Sequence, residues 1–88
     1  MHADIGVRVS VRYFAAARAA AGTDDEAIAL PAGATVADLV DMLKGRGAAL
    51  ATVLARCSYL CDGVAVRDLR TPLGEDQTID VLPPFAGG

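Results

Sequence analysis

The residues best placed to do chemistry in this chain are the run Pro83-Pro84-Phe85-Ala86-Gly87-Gly88. Proline fixes φ and favours extended geometry, so Pro83-Pro84 is expected to stop a preceding strand and aim the chain outward. Two glycines in succession carry no side chain, so their backbone can enter a slot too narrow for any other residue. Fully extended, the arm from Pro83 to Gly88 spans roughly 20 Å. Such an arm presents one reactive group, the α-carboxylate of Gly88. A carboxylate is a poor electrophile and becomes an acyl donor once a good leaving group is attached. The plain alternative is a frayed chain end.

The other reactive side chains offer less. Cys57 and Cys61 are the only cysteines, and on one strand their Cα atoms would sit about 13 Å apart, beyond disulfide reach. On a helix they would be closer, but a bridge there would close only a tiny loop. Both are expected to be reduced and partly buried. A structural metal site needs about four ligands, and His2 is the only histidine, so no metal is expected. No carboxylate pair is spaced for acid–base catalysis, and Glu75-Asp76 has the composition of a polar turn.

Elements must position the arm, and 88 residues suffice for one small domain. An apolar content of 53% argues for a packed core, and 5% aromatics without tryptophan make that core aliphatic. The formal net charge of −3 argues against a nucleic-acid partner. The arginines are dispersed from Arg8 to Arg70, and Lys44 is the only lysine. No segment approaches membrane-span length. Residues 1–6 lack the pattern of a signal peptide and are expected to be a flexible leader, with the cytoplasm as the location.

Val7 to Tyr13 alternates apolar and polar residues, the period of a half-buried strand. Val7, Val9, Val11 and Tyr13 should face the core, with Phe14 capping it or exposed on the other face. Ala15 to Ala21 can form about one and a half helical turns before Gly22, and Glu26 to Leu30 resumes alternation. Thr35 then opens the clearest helix, with Asp38 completing a short capping box. Val36, Leu39, Val40 and Leu43 make its apolar stripe, and Gly45 fits the C′ position. Ala48 to Arg56 carries a weaker helical pattern. Tyr59-Leu60-Cys61 and Val64-Ala65-Val66 flank the hairpin signal Asp62-Gly63. Leu69 to Asp76 has loop composition, and Thr78 to Leu82 is a last strand running into the arm. This order predicts an α+β chain of the β-grasp, ubiquitin-like class, a mixed sheet of about five strands on one main helix. A single domain over 1–88 is expected, with 83–88 an extended C-terminal tail.

Four stretches carry a family resemblance. Tyr13-Phe14-Ala15-Ala16-Ala17-Arg18, leading to Gly22, resembles an aromatic-Phe-Ala-x-x-Arg segment. Gly33-Ala34-Thr35-Val36 with Leu39 resembles a helix entry. Leu73-Gly74-Glu75-Asp76-Gln77-Thr78-Ile79 resembles a Leu-x-x-Gly-Asp-x-Val turn with the glycine displaced. The ending resembles Pro-Pro-x-x-Gly-Gly. Together they resemble the small, sulfur-carrier subunit of molybdopterin synthase, the MoaD family, over residues 7 to 88.

That resemblance implies a mechanism. A ubiquitin-activating-type adenylyltransferase would adenylate Gly88 with ATP, and a sulfur donor (a sulfurtransferase) would displace AMP to leave a thiocarboxylate. The tail residues Pro84, Phe85, Ala86 and Gly87 would thread into partner active sites. Sulfur would pass to cyclic pyranopterin monophosphate in the large catalytic subunit, within a heterotetramer. The chain would then be a co-substrate more than a catalyst, binding no cofactor itself while the activating partner consumes ATP. Phe14 and Arg18 would belong to a partner interface, although a buried Phe14 and a solvated Arg18 are the bland counterparts. The family often has an acid after this arginine, whereas here Ala19 follows, which puts a local ion pair in doubt. Related carriers serve thiamin, cysteine or transfer-RNA thiolation, and a protein modifier would use the same activated carboxyl. A plain interaction domain with an inert tail is the third alternative.

Overall fold

The computed structural model describes residues 6–84. Its elements in chain order are β1 (Gly6–Tyr13), α1 (Ala15–Ala21), β2 (Asp25–Pro31), α2 (Val36–Lys44), α3 (Ala48–Leu54), β3 (Ser58–Cys61), β4 (Val64–Ala65) and β5 (Thr78–Leu82). The strands form one mixed sheet in the order β2-β1-β5-β3-β4. β1 is antiparallel to β2 and parallel to β5, and β3 is antiparallel to both β5 and β4. This is the β-grasp expected from the element order.

The alternation in β1 buries Val9, Val11 and Tyr13 and leaves Ser10, Arg12 and Phe14 on the opposite face. β5 does the same with Ile79 and Val81, both fully buried. Against this inner face lie Val36, Leu39 and Leu43 of α2, each with no exposed surface. The stripe at i, i+3 and i+7 is therefore the lid of the core. α3 contributes Leu50 and Leu54 and lies against both α1 and α2.

The termini of α2 show how local chemistry fixes its place. Thr35 Oγ1 accepts from the Asp38 N–H at 3.2 Å, while Asp38 Oδ2 accepts from the Thr35 N–H at 2.9 Å, a complete capping box. The two N–H groups between them are taken by the 67–76 segment: Val36 donates to Thr71 O and Ala37 to Leu69 O. The start of the helix is thus closed by backbone rather than open to an anion. Gly45 departs from expectation. It is the C-cap itself at φ −69 and not a left-handed C′ residue. Its N–H is shared between Asp41 O and Met42 O, and Arg46 donates to Leu43 O, so a tightened last turn ends the helix. At Asp62-Gly63 the φ values are 50 and 84, both left-handed, as a two-residue hairpin turn requires.

Two further stretches formed as expected and also make long-range contacts. Leu69 to Asp76 is the expected loop, and within it Leu73 is a core residue that donates its N–H to Ala34 O. Glu75-Asp76 is tied to β1: the Arg8 N–H donates to Glu75 Oε1 at 3.2 Å and the Asp76 N–H to Arg8 O at 2.8 Å.

Leu39→Ala should lower stability by about 3 kcal/mol, which shifts Tm by about 15 °C in a domain of this size. Thr35→Ala should cost only about 1 kcal/mol. Urea titration followed by circular dichroism separates the two. A loss at Leu39 no larger than that at Thr35 would remove α2 from its place as lid.

Candidate functional site

The root of the terminal arm is a strand held on both edges. β5 lies in the middle of the sheet, paired with β1 through Ser10↔Thr78 to Tyr13↔Val81 and with β3 through Ser58↔Leu82 to Cys61↔Ile79. The ladder ends where proline begins, since Pro83 has no N–H to give. Pro83 is buried and Pro84 is exposed, so the chain leaves the body between the two prolines. Phe85, Ala86, Gly87 and Gly88, which carry the expected reactive end, lie outside the described residues.

Phe14 stands beside this exit. Its N–H donates to Val81 O at 3.2 Å, and it is the N-cap residue of α1 in extended geometry. Its side chain is 38% exposed, so the exposed alternative holds and the core-capping one does not. Ala15, which follows, has φ 51. A left-handed alanine is strained, because Cβ crowds the following carbonyl, and the strain is spent on turning the chain out of β1 immediately after Phe14. Arg18 lies one turn further along α1, its N–H bonded to Phe14 O at 3.4 Å. Its Nε is 3.7 Å from Asp24 Oδ1, a loose pair between two exposed groups. Asp24 therefore supplies the partner that Ala19 cannot, at a contact of small energetic value.

Two polar clusters that sequence reasoning missed hold the neighbourhood of Phe14. On the inner side the Tyr13 hydroxyl donates to Glu26 Oε2 at 2.6 Å, and Arg46 Nη1 donates to both Glu26 oxygens at 2.8 and 2.6 Å. Burial works against the Glu26 charge, but the hydrogen bonds from Arg46 and Tyr13 outweigh it, holding this carboxyl below its ordinary range. Burial, then the bond to Glu26, pushes the Tyr13 phenol up. On the outer side Arg12 donates from Nε to Asp80 Oδ1 at 2.7 Å and from Nη2 to Asp80 Oδ2 at 3.0 Å. Hydrogen bonding to Asp80 raises the Arg12 guanidinium above its ordinary value. Both residues occupy outward positions of their alternating strands, which was legible. Their coincidence depends on the β1–β5 register, which was not.

The thiols are poor nucleophiles here. Cys57 and Cys61 are free and half-buried. Burial raises the Cys57 thiol, and burial followed by the nearby Asp62 charge raises Cys61, so both are protonated at neutral pH. Among the described residues no group of three or more His, Cys, Asp or Glu side chains converges to hold a metal ion. Nor, among them, is any helix long and apolar enough to cross a membrane.

Comparison with known proteins follows this geometry. The model of the ThiS family matches residues 11–88. A putative molybdopterin converting factor subunit 1 from Pyrococcus furiosus is 32% identical, with a TM-score of 0.81 over 90% of this chain and 99% of that one. The small archaeal modifier protein 1 from Methanosarcina acetivorans is 27% identical at a TM-score of 0.80, covering 96% of this chain and 99% of its own. A chain from the complex of subunits 1 and 2 of molybdopterin-converting factor from Helicobacter pylori is 26% identical at 0.69, over 93% and 100%. No curated protein matches.

The Glu26 cluster makes a pH prediction. Glu26 binds its proton more weakly folded than unfolded. Its contribution is therefore complete above the unfolded pKa and is lost as pH falls through the folded one. Glu26→Gln should lower stability at pH 7 and flatten its decline below about pH 4 relative to the parent. Urea midpoints across the acid range measure this, and parallel curves for the two proteins would refute it.

Proposed function

Because the chain belongs to the ThiS family, we propose that it is a sulfur carrier whose Gly88 is converted to a thiocarboxylate and whose sulfur goes to cyclic pyranopterin monophosphate in molybdopterin synthesis. The observation that carries this reading is the ending Pro83-Pro84-Phe85-Ala86-Gly87-Gly88 on the central strand of the sheet. The likeness to molybdopterin converting factor subunit 1 supports the pyranopterin destination over other sulfur pathways.

In this reading the Gly88 carboxylate oxygen attacks the α-phosphorus of ATP in an adenylyltransferase of the ubiquitin-activating type, releasing pyrophosphate. The terminal sulfur of a sulfurtransferase persulfide then adds to the acyl carbon, AMP leaves, and a thiol reductant cleaves the acyl disulfide to the thiocarboxylate; hydrosulfide gives the same product without reduction. The general acids, bases and phosphate ligands belong to those partners. This chain supplies a body that holds β5, an exit at Pro84 and a narrow arm that delivers the acyl group. Phe14 and Arg18, on either side of the first turn of α1, are proposed to meet the partner that holds the arm. The protonated Cys57 and Cys61 have no part in the transfer.

A second reading is favoured by the likeness to small archaeal modifier protein 1. There the same activated Gly88 would be captured by a lysine amine on a target protein, forming an isopeptide.

Intact mass after incubation with ATP, an adenylyltransferase of this type and sulfide separates these outcomes. The expected shift is the replacement of one oxygen by sulfur, absent when Gly88 is deleted and retained in Cys57→Ser/Cys61→Ser. Pyranopterin conversion by the thiocarboxylated chain with a large subunit tests the destination. Lysine-linked conjugates in cells without a detectable thiocarboxylate would replace the carrier reading by the modifier one.

A further inference from the structure

The open face of the sheet contains a buried charge. Asp80 points away from the helices, where no second layer among the described residues covers the sheet, yet it is only 7% exposed. Its cover is Arg12, whose guanidinium spends Nε and Nη2 on the two carboxylate oxygens. In the same row across the strands Asp25 pairs with Arg12 on the other side. A planar fork held at two points cannot rotate as a lysine would. Replacing a buried ion pair by apolar side chains is often neutral or stabilising, so stability alone does not account for this one.

What the fork touches does. The Arg12 Cζ lies 5.5 Å from the centre of the Phe14 ring, within cation–π range. Among the described residues Phe14 is the only exposed aromatic ring, since Tyr13 and Tyr59 are buried. The strained Ala15 fixes its backbone from the other side. We infer that Arg12 is a positioning residue: locked on Asp80, it holds the Phe14 ring as a fixed platform beside the exit of the arm, for the protein that receives that arm. This rests on the carrier reading above.

The geometry also states what the receiving protein must offer. The ring takes an apolar side chain. The guanidinium N–H groups not spent on Asp80 have no acceptor among the described residues, and Arg12 is 53% exposed at its side chain. A neutral carbonyl oxygen suits them better than a carboxylate, which would face Asp25 and Asp80 as well.

The test uses the full chain and removes the pair together, so that no buried carboxylate is orphaned. Arg12→Met/Asp80→Leu should keep the fold by circular dichroism and raise KM for the chain about tenfold in adenylation, with kcat unchanged. Phe14→Ala should give the same rise, and adding it to the double variant should cause little further loss. Arg12→Lys, which keeps the charge without the fork, should fall between. Pyrophosphate release gives the kinetics, and NMR of the Phe14 ring reports its orientation independently. An unchanged KM in the double variant, or full additivity with Phe14→Ala, overturns the inference. If the parent chain itself releases no pyrophosphate with any such adenylyltransferase, the carrier reading fails instead. The ring then decides alone: loss of the Arg12-dependent shift in the double variant upholds the positioning role, and an unchanged ring spectrum overturns it.

Discussion

The parallel pairing of β1 with β5 is the constraint on which the rest of this molecule depends. It places the last strand between two neighbours, so Ile79 and Val81 join Val9, Val11 and the α2 stripe in one core cluster. It also aligns Arg12 with Asp80 and brings the Phe14 N–H onto Val81 O. A central strand cannot shift by one residue without exchanging its buried and open faces. Here a slip would put Asp80 into an aliphatic core and Ile79 on the surface. The position of β5 is therefore determined by packing on one face and by an ion pair on the other.

The two faces of the sheet divide the work. The inner face is aliphatic and carries the stability, closed at one end by the Tyr13–Glu26–Arg46 cluster. The open face carries charges, small residues and the Phe14 ring. Between Ser10, Arg12, Ala27, Thr78 and Asp80 it forms a shallow cleft of about 730 Å³. Among the described residues neither thiol is reactive, because burial keeps Cys57 and Cys61 protonated. Such a body is suited to being held by another protein while its arm is acted upon.

Much of this was legible in residue types and periods. The alternation from Val7 to Tyr13, the capping box at Thr35 and the Asp62-Gly63 turn each depend on local chemistry, and each formed where that chemistry placed it. Phe14 broke the apolar–polar pattern, and the break marks an apolar ring on the open face at the end of β1. What stayed hidden depends on contacts between residues remote in sequence. Nothing near Asp80 announces Arg12, and nothing near Leu73 announces that a loop residue completes the core under Ala34. Gly45 shows a different limit: glycine permits a left-handed C′ residue, but the chain continued through Arg46 in a tightened turn that glycine also permits. The Gly-Gly ending itself was plain in the sequence, because its chemistry needs no fold to be recognised.

The burial of β5 also has a temporal side. Arg12 and Asp80 are 68 residues apart along the chain, and contacts of such separation form late because the loop between them must close first. During synthesis β1, β2 and α2 emerge with the middle of their sheet missing, and only the final strand can fill it. The element that completes the domain is the one that bears the arm. A chain cut short before Thr78 lacks the core residues Ile79 and Val81, so the same truncation that removes the terminal run also opens the core.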